Sequence, residues 1–489
     1  MTSHPMTRLS SREPVAVPSV LPAGSIRSRR PVVRRFAGRL APVALISLVG
    51  VLAGFAIGMC SFWADPRPAL DTAGWQWQLP ELPAGIEPGY REQCREAGAA
   101  VAEVLAAHPD SPDAVSALGV LYYLAHDLRG EQACWERRLE LQPQNAFAYT
   151  RLFELAQQQA DYQRIVDLVH QAEAADPGNL AHRGRLGSAL LYLQRNEEAK
   201  TALEPYVKAG HGDADNYLVL GEVCFQLDDA RTAKRYFEAA AALAPDNAAM
   251  YYSLAKACAK LGEEDLVAQH RATFQRLKEV EAEIRKGKSS QRQQAQDDVH
   301  IPIRIAEIMK HVGLAYQDAG ELELAEQAWR RGVERNPDNS VLRELLSDLY
   351  LRQGRLVDAL ECIRELQRLT PQNRLHDRNE GLVLSRLQRY DEAEAVFRQL
   401  CRSAPVSSLG YAALAQLLLL RNGDLHEAVS LARRAVAFEP SGDNLHLLGL
   451  AALQVGDLAT AREAAQRALE SDPDNPKYRS LHASIPPKQ

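Results

Sequence analysis

The sequence is poor in rings and in cysteine: 6% of its 489 residues are aromatic and seven are Cys. Its core must therefore be filled by Ala and Leu, which suits closely approaching helices. Cys60, Cys94, Cys134, Cys224, Cys258, Cys362 and Cys401 form no CxxC, no CxxCH and no zinc-like spacing. Most fall at helix-packing positions, where a thiol serves as a small core filler. Cys224 and Cys258, 34 residues apart, are a disulfide candidate whose sulfurs sequence alone does not place. A phosphate-cradling glycine loop, an HExxH pair and a nucleophile elbow are all missing, and the 13 histidines are scattered. His211, in the GHGD of residues 210–213, reads as a turn residue. No catalytic residue, cofactor site or metal ligand is assigned, and the chain is not expected to be an enzyme.

Basic charge is also scarce beyond the N-terminus. Residues 1–39 carry eight Arg against one Glu; the other 49 Lys and Arg face 62 Asp and Glu, so a net −6 conceals a body of −13. Phosphate backbones need a basic footprint, so nucleic acid is excluded as the main partner. Long apolar runs are missing too, with one exception. Leu40–Trp63 is 24 residues without a charge, enough to span the ~30 Å hydrocarbon core of a bilayer. It is too long for a signal peptide's apolar core and ends in no A-x-A site. Bulky Met59 precedes Cys60 where a lipoprotein signal carries a small residue. An uncleaved anchor is the expectation. Arg27, Arg29, Arg30, Arg34, Arg35 and Arg39 precede the run, which predicts a cytoplasmic N-terminus and a periplasmic or extracytoplasmic body. Gly50, Gly54 and Gly58 form overlapping GxxxG patterns, a face that can let two such helices pack as a homodimer, although glycine is common in membrane spans generally.

What the sequence has in abundance is one pattern repeated. In Ala214–Asn247, Tyr217, Leu220 and Gly221 precede Ala233, Phe237, Ala240 and a closing Pro245. The i, i+3, i+4, i+7 spacing predicts two short amphipathic helices separated by a turn at Asp228–Asp229. Closing prolines recur at Pro109, Pro143, Pro177, Pro245, Pro337, Pro371, Pro405, Pro440 and Pro473, mostly 34 apart or twice that, with a one-residue slip on either side of Pro440. Leu118-Gly119, Leu186-Gly187, Val312-Gly313 and Leu448-Gly449 recur in phase with Leu220-Gly221. So do Ala199, Ala325, Ala359, Ala393, Ala428 and Ala461 with Ala233.

This pattern resembles the tetratricopeptide repeat (TPR) family, whose unit reads W-x2-L-G-x2-Y…A-x3-F…P. The resemblance implies an all-α fold, a right-handed solenoid of helical hairpins in two blocks, here preceded by one transmembrane helix. The expected organisation is a disordered basic cytoplasmic arm at 1–39, the membrane helix at 40–63 and a Pro-rich stalk at 64–88. A capping helix and five repeats follow at 89–279, then a charged, Gln-rich linker at 280–305, five repeats at 306–475 and a terminal cap and tail at 476–489. Sequence leaves the linker open between a hinge and a rigid helix. Glu131 and Arg138 stand where the family places alanine, and Asp377 and Glu380 where it places apolar residues, so those hairpins are expected to pack least regularly.

In this family the first helix of each hairpin lines the concave face, where partners lie as peptides or helices. Projection onto that face yields Val120, Tyr123, Phe147, Leu191, Tyr192, Phe225 and Tyr252 in the first block, an aromatic and apolar groove. The second block yields Lys310, Asp318, Glu344, Asp348, Arg352, Arg378 and Arg386, a mixed-charge groove. Aromatic anchors suit peptide burial and charges suit selectivity. The same aromatics also suit contacts with adjacent hairpins, and that alternative stays open. The implied function is a membrane-anchored scaffold for protein partners. The alternatives are an envelope assembly factor binding a glycan, and a regulatory subunit of an enzyme encoded elsewhere.

Overall fold

The turn inside each hairpin sets the architecture. His126, Ala160, Gln194, Asp228 and Gly262 each take a left-handed backbone conformation, at intervals of 34 residues. Gly320, Gly354, Gln388, Asn422 and Gly456 repeat this at the same interval. The following amide then reaches back to end the first helix, as from Asp127 to the Tyr122 carbonyl at 3.1 Å and from Arg389 to that of Leu384 at 2.9 Å. Between hairpins, side chains such as Asn145, Asp213, Asn247, Asn339, Ser407 and Asn475 accept a backbone N–H and start the next first helix.

The computed structural model describes residues 76–286 and 291–486. Among the described residues every regular element is helical. After α1 (Pro88–Ala107) come the hairpins α2 (Pro112–Leu124) with α3 (Leu128–Leu141), and α4 (Ala146–Gln158) with α5 (Tyr162–Ala175). Then follow α6 (Arg183–Tyr192) with α7 (Asn196–Lys208), α8 (Ala214–Gln226) with α9 (Ala230–Leu243), and α10 (Ala248–Leu261) with α11 (Glu264–Lys286). The second block holds α12 (Gln291–Asp318) with α13 (Leu322–Arg335), α14 (Ser340–Arg352) with α15 (Leu356–Leu369), and α16 (Arg374–Arg386) with α17 (Tyr390–Ser403). It ends with α18 (Ser408–Leu420) and α19 (Leu425–Phe438), α20 (Gly442–Gln454) and α21 (Leu458–Ser471), and a last helix, α22 (Pro476–Ser484).

Within a hairpin the helices touch where glycine faces a large side chain sixteen residues on. A Cβ on Gly187 would meet Leu203 at 2.2 Å, one on Gly221 would meet Phe237 at 2.4 Å, and one on Gly381 would meet Phe397 at 2.2 Å. Ala199, Ala233, Ala325, Ala359, Ala393, Ala428 and Ala461 are all fully buried. The slip at Pro440 has a local cause. The turn after α18 holds one more residue than its neighbours, so α19 starts at Leu425. The loop after α19 is correspondingly short, with the Ser441 amide donating to Glu439 at 2.8 Å. One helix has moved along by a residue while the 34-residue register survives.

The two blocks do not stack in chain order. α12 packs on α13, but also on α1 and α2 at the beginning of the first block, whereas α11 packs on α10 at its far end. Arg335 meets Glu96 at 2.7 Å and His108 meets Glu321 at 3.3 Å, so α1 runs antiparallel to α13. The helix expected to cap a free end is therefore covered by the second block. α12 also runs through Pro302 as one helix. The described part of the Pro-rich segment is not a free stalk: Tyr122 donates to the Gln78 carbonyl at 2.7 Å, and Arg91 to that of Pro83 at 2.8 Å.

One expectation is corrected. No helix among the described residues is long and apolar enough to cross a membrane. The single-pass placement, with a cytoplasmic N-terminus and an extracytoplasmic body, is not supported. The span at 40–63, with Gly50, Gly54 and Gly58, lies outside the described residues. Cys224 and Cys258, open to a disulfide by spacing, fill the core as free buried thiols, and burial pushes each up to about 11, well above thiolate formation at neutral pH.

Candidate functional site

The aromatic row expected in the first block is mostly occupied by its own neighbours. Val120 is 3% exposed and belongs to the packing layer, so it offers no surface. Tyr123 is half-buried under the guanidinium groups of Arg151 and Arg304, at 4.7 and 4.8 Å from its ring centre. Phe225 is half-buried under the Lys256 and Lys260 ammonium groups at 4.9 and 4.8 Å. Phe147 meets Trp135 edge-on at 5.3 Å, and Leu191 is half-buried. Three rings stay open: Phe147 at 41% exposure, Tyr252, beside Phe274, and Tyr192, which is 66% exposed and lies flat on Tyr162 at 4.3 Å.

The second block carries the better-formed site, and its floor was not foreseen. Two adjoining pockets of about 410 and 810 Å3 share Leu382, Ala413, Gln416 and Leu420. Together they form one channel across the first helices α14, α16, α18 and α20. Leu351, Leu419, Leu447 and Leu450 extend its apolar lining, while Arg378 and Arg386 edge it. Leu420 is 61% exposed. Small or short side chains at Asn379, Ser385, Ala412 and Ala413 leave the depth between helices. A period count marks core positions and misses Asn379, Leu382, Ala412 and Gln416, which lie on the stripe of each first helix that it leaves over.

The irregular residues of α16 hold that helix rather than loosening it. Glu380 accepts from Arg364 and Gln367, both at 2.9 Å, and Asp377 accepts from Gln367 at 3.0 Å. Charged ties to α15 replace apolar contacts there. The carboxyl groups lining the channel are already engaged: Ser408 donates to Glu439 at 2.5 Å and Tyr478 to Asp443 at 2.9 Å. Burial holds the His446 imidazole below its ordinary pKa, so it lines the channel uncharged.

A second polar cluster sits at the joint between the blocks, and it explains the misfits Glu131 and Arg138. Buried Glu131 accepts from Trp135 at 3.0 Å and from Arg151 at 2.5 Å. Buried Arg138 donates to Ser116 at 3.1 Å and Gln142 at 3.0 Å, and lies 3.2 Å from Asp113. His311 of α12 reaches the same Asp113 oxygen at 2.7 Å. Burial raises the Asp113 pKa, but His311 and Arg138 outweigh it and hold the carboxyl below its usual range. Burial depresses His311 more than Asp113 raises it, so a neutral ring donates Nδ1–H to a carboxylate. This is a structural lock, with no groups placed for chemistry.

Among the described residues no group of His, Cys, Asp and Glu is placed to hold a metal ion. A tetratricopeptide repeat model matches residues 225–266, 313–374 and 378–443, and a second matches 419–485. Cellulose synthase operon protein C of Pseudomonas fluorescens (strain SBW25) is 25% identical over 448 residues, covering 86% of this chain and 32% of that protein. The chain thus spans about a third of that curated relative. Among solved structures, MamA from residue 41 onward of Desulfovibrio magneticus RS-1 is 17% identical, with a TM-score of 0.31, over 35% of this chain and 97% of that one. A thermophilic TPR protein of Thermus thermophilus is 20% identical, with a TM-score of 0.30, over 37% of this chain and 98% of that one. Hairpins of 34-residue register, with matched repeats in both blocks, make this a protein of multiple tetratricopeptide repeats.

Proposed function

We propose that this chain is a protein-binding scaffold with no chemistry of its own, and that a partner segment lies in the channel across α14 to α20. The observation that carries this reading is the adjoining pair of pockets with a leucine lining open to solvent. Apolar anchors entering such a lining supply most of the binding energy, and the polar edge sets orientation. Arg378 and Arg386 edge this channel, while Phe147, Tyr192 and Tyr252 are the open rings of the first block. The test is cross-linking in intact cells followed by affinity purification and mass spectrometry. Leu382→Glu is expected to remove the enriched partner with the helical content intact, whereas Phe147→Ala with Phe225→Ala leaves it. Enrichment that survives Leu382→Glu would place the partner elsewhere.

A second reading, binding of a polysaccharide, draws on two observations. Tyr192 presents an open ring face stacked on Tyr162, with Gln157, Asp213 and Asp215 lining the same pocket of about 340 Å3. A relative in part of its length is a cellulose synthase operon protein. Tyr192→Ala would abolish polysaccharide binding under this reading and leave the protein partner unaffected under the first.

A further inference from the structure

We propose that the channel of the second block selects acidic amphipathic peptides, with carboxylate side chains on its arginines and apolar side chains on its leucines. This rests on the scaffold reading and adds the chemistry of the partner. The argument begins with how the second block spends its arginines. Arg355, Arg364, Arg368, Arg389, Arg398 and Arg421 each have a carboxylate within ion-pair distance. Others, such as Arg343, Arg434 and Arg462, donate to a carbonyl or hydroxyl oxygen.

The arginines of the channel face are different. Arg378 and Arg386 have no hydrogen-bond or ion-pair partner among the described residues. Arg378 is half-buried, and its Nε is shut off from solvent with nothing to donate to. A buried donor left unmade costs free energy that a bound acceptor would recover. Lys477, exposed at the far end of the channel, also lacks an anionic partner.

Charge balance points the same way. Glu439 and Asp443, the carboxylates of the lining, are held by Ser408 and Tyr478, and His446 is neutral. Glu344, Asp348 and Arg352 are exposed on α14, and all three lie outside the channel lining. Among the lining residues Arg378, Arg386 and Lys477 stand against Glu439 and Asp443, so the channel carries a net positive charge on a molecule whose body is otherwise acidic. Its carboxylates have hydroxyl donors, while its arginines have no partner among the described residues. A local positive site on an acidic surface favours a partner whose charge is confined to the bound segment. Between the cations the lining is leucine and alanine, so an acidic segment without apolar side chains would leave it unfilled.

The experiment is selection of a display library of random 15-residue peptides against the full chain, with enriched peptides then measured by fluorescence anisotropy. The expected result is enrichment of Asp and Glu among Leu, Ile or Phe. Affinity should fall at least about tenfold in Arg378→Gln with Arg386→Gln, and fall again as salt is raised. These side chains make no bond in the fold, so circular dichroism is expected to be unchanged and serves as the folding control. Acidic peptides bound equally well by the arginine variants would overturn the proposal. Neutral or basic peptides lost on Leu382→Glu would overturn it too, yet leave the scaffold reading standing. No enrichment at all would remove both.

Discussion

Gly381 and Phe397 show what a single residue decides in this protein. The Phe397 ring is 1% exposed and would lie 2.2 Å from a Cβ at position 381, so it has nowhere to turn. Gly381→Ala is expected to cost about 1–3 kcal/mol, read as a lower urea midpoint at unchanged slope. Gly85→Ala, with nothing within 4 Å of the new methyl, is the matched control and should stay within about 0.5 kcal/mol of the parent. Residues of this kind are legible without coordinates, because Leu-Gly and the small residue after it recur in phase. Glu131 and Arg138 were legible only as misfits. Their partners Trp135 and Arg151, and Ser116 and Asp113, become a network only once the helices are packed.

At the scale of the element, the left-handed turn residue is invariant in position and not in identity. Glycine occupies it at Gly262, Gly320, Gly354 and Gly456, whereas Ala160 and Gln194 hold the same conformation against the preference of a side chain. Ala160→Gly is therefore expected to stabilise by up to about 1 kcal/mol, and Gly354→Ala to destabilise by a similar amount, as opposite shifts in Tm. The caps at Asn145, Asn339 and Asn475 keep the same interval as the turns. They are a steadier marker of register than the prolines, since Pro440 moves with its helix while Ser441 still caps the next one.

At the scale of the molecule, the joint of α1 and α2 with α12 and α13 holds the blocks together. Arg138→Met leaves the buried Asp113 carboxylate without its cation and should cost about 3–5 kcal/mol. The expected readout is a single melting transition splitting in two. The joint is also sensitive to acid. Asp113 has a depressed folded pKa, so its stabilisation is complete above the ordinary carboxylate range and is lost as pH falls through the folded value. His311 is likewise depressed by burial, against Lys310 on its own helix and with Asp113 and Glu307 pulling the other way. The unfolded imidazole takes its proton first, near its ordinary value of about 6.5, so acidification below that value favours unfolding. Thermal scans should show stability falling from neutral pH downward and holding above it, with His311→Gln removing the upper part of that slope.

By itself the sequence determined that the chain is a stack of helical hairpins, because a 34-residue period of Gly, Ala and large side chains satisfies one packing geometry and no other. It also marked the small and large residues in phase that face inward along the hairpins, though it put Val120 on the open face where the structure buries it. It did not determine the channel. Leu382, Gln416, Leu420 and Leu450 are far apart in the chain and lie on the stripe that the core period leaves over. Nor did it determine the order of the blocks. The contact of His311 with Asp113 spans 198 positions, and its sequence signal is a few polar residues out of place. Local periodicity is written into neighbours three and four residues apart, whereas the docking of one block on another depends on surfaces that exist only after the hairpins have formed.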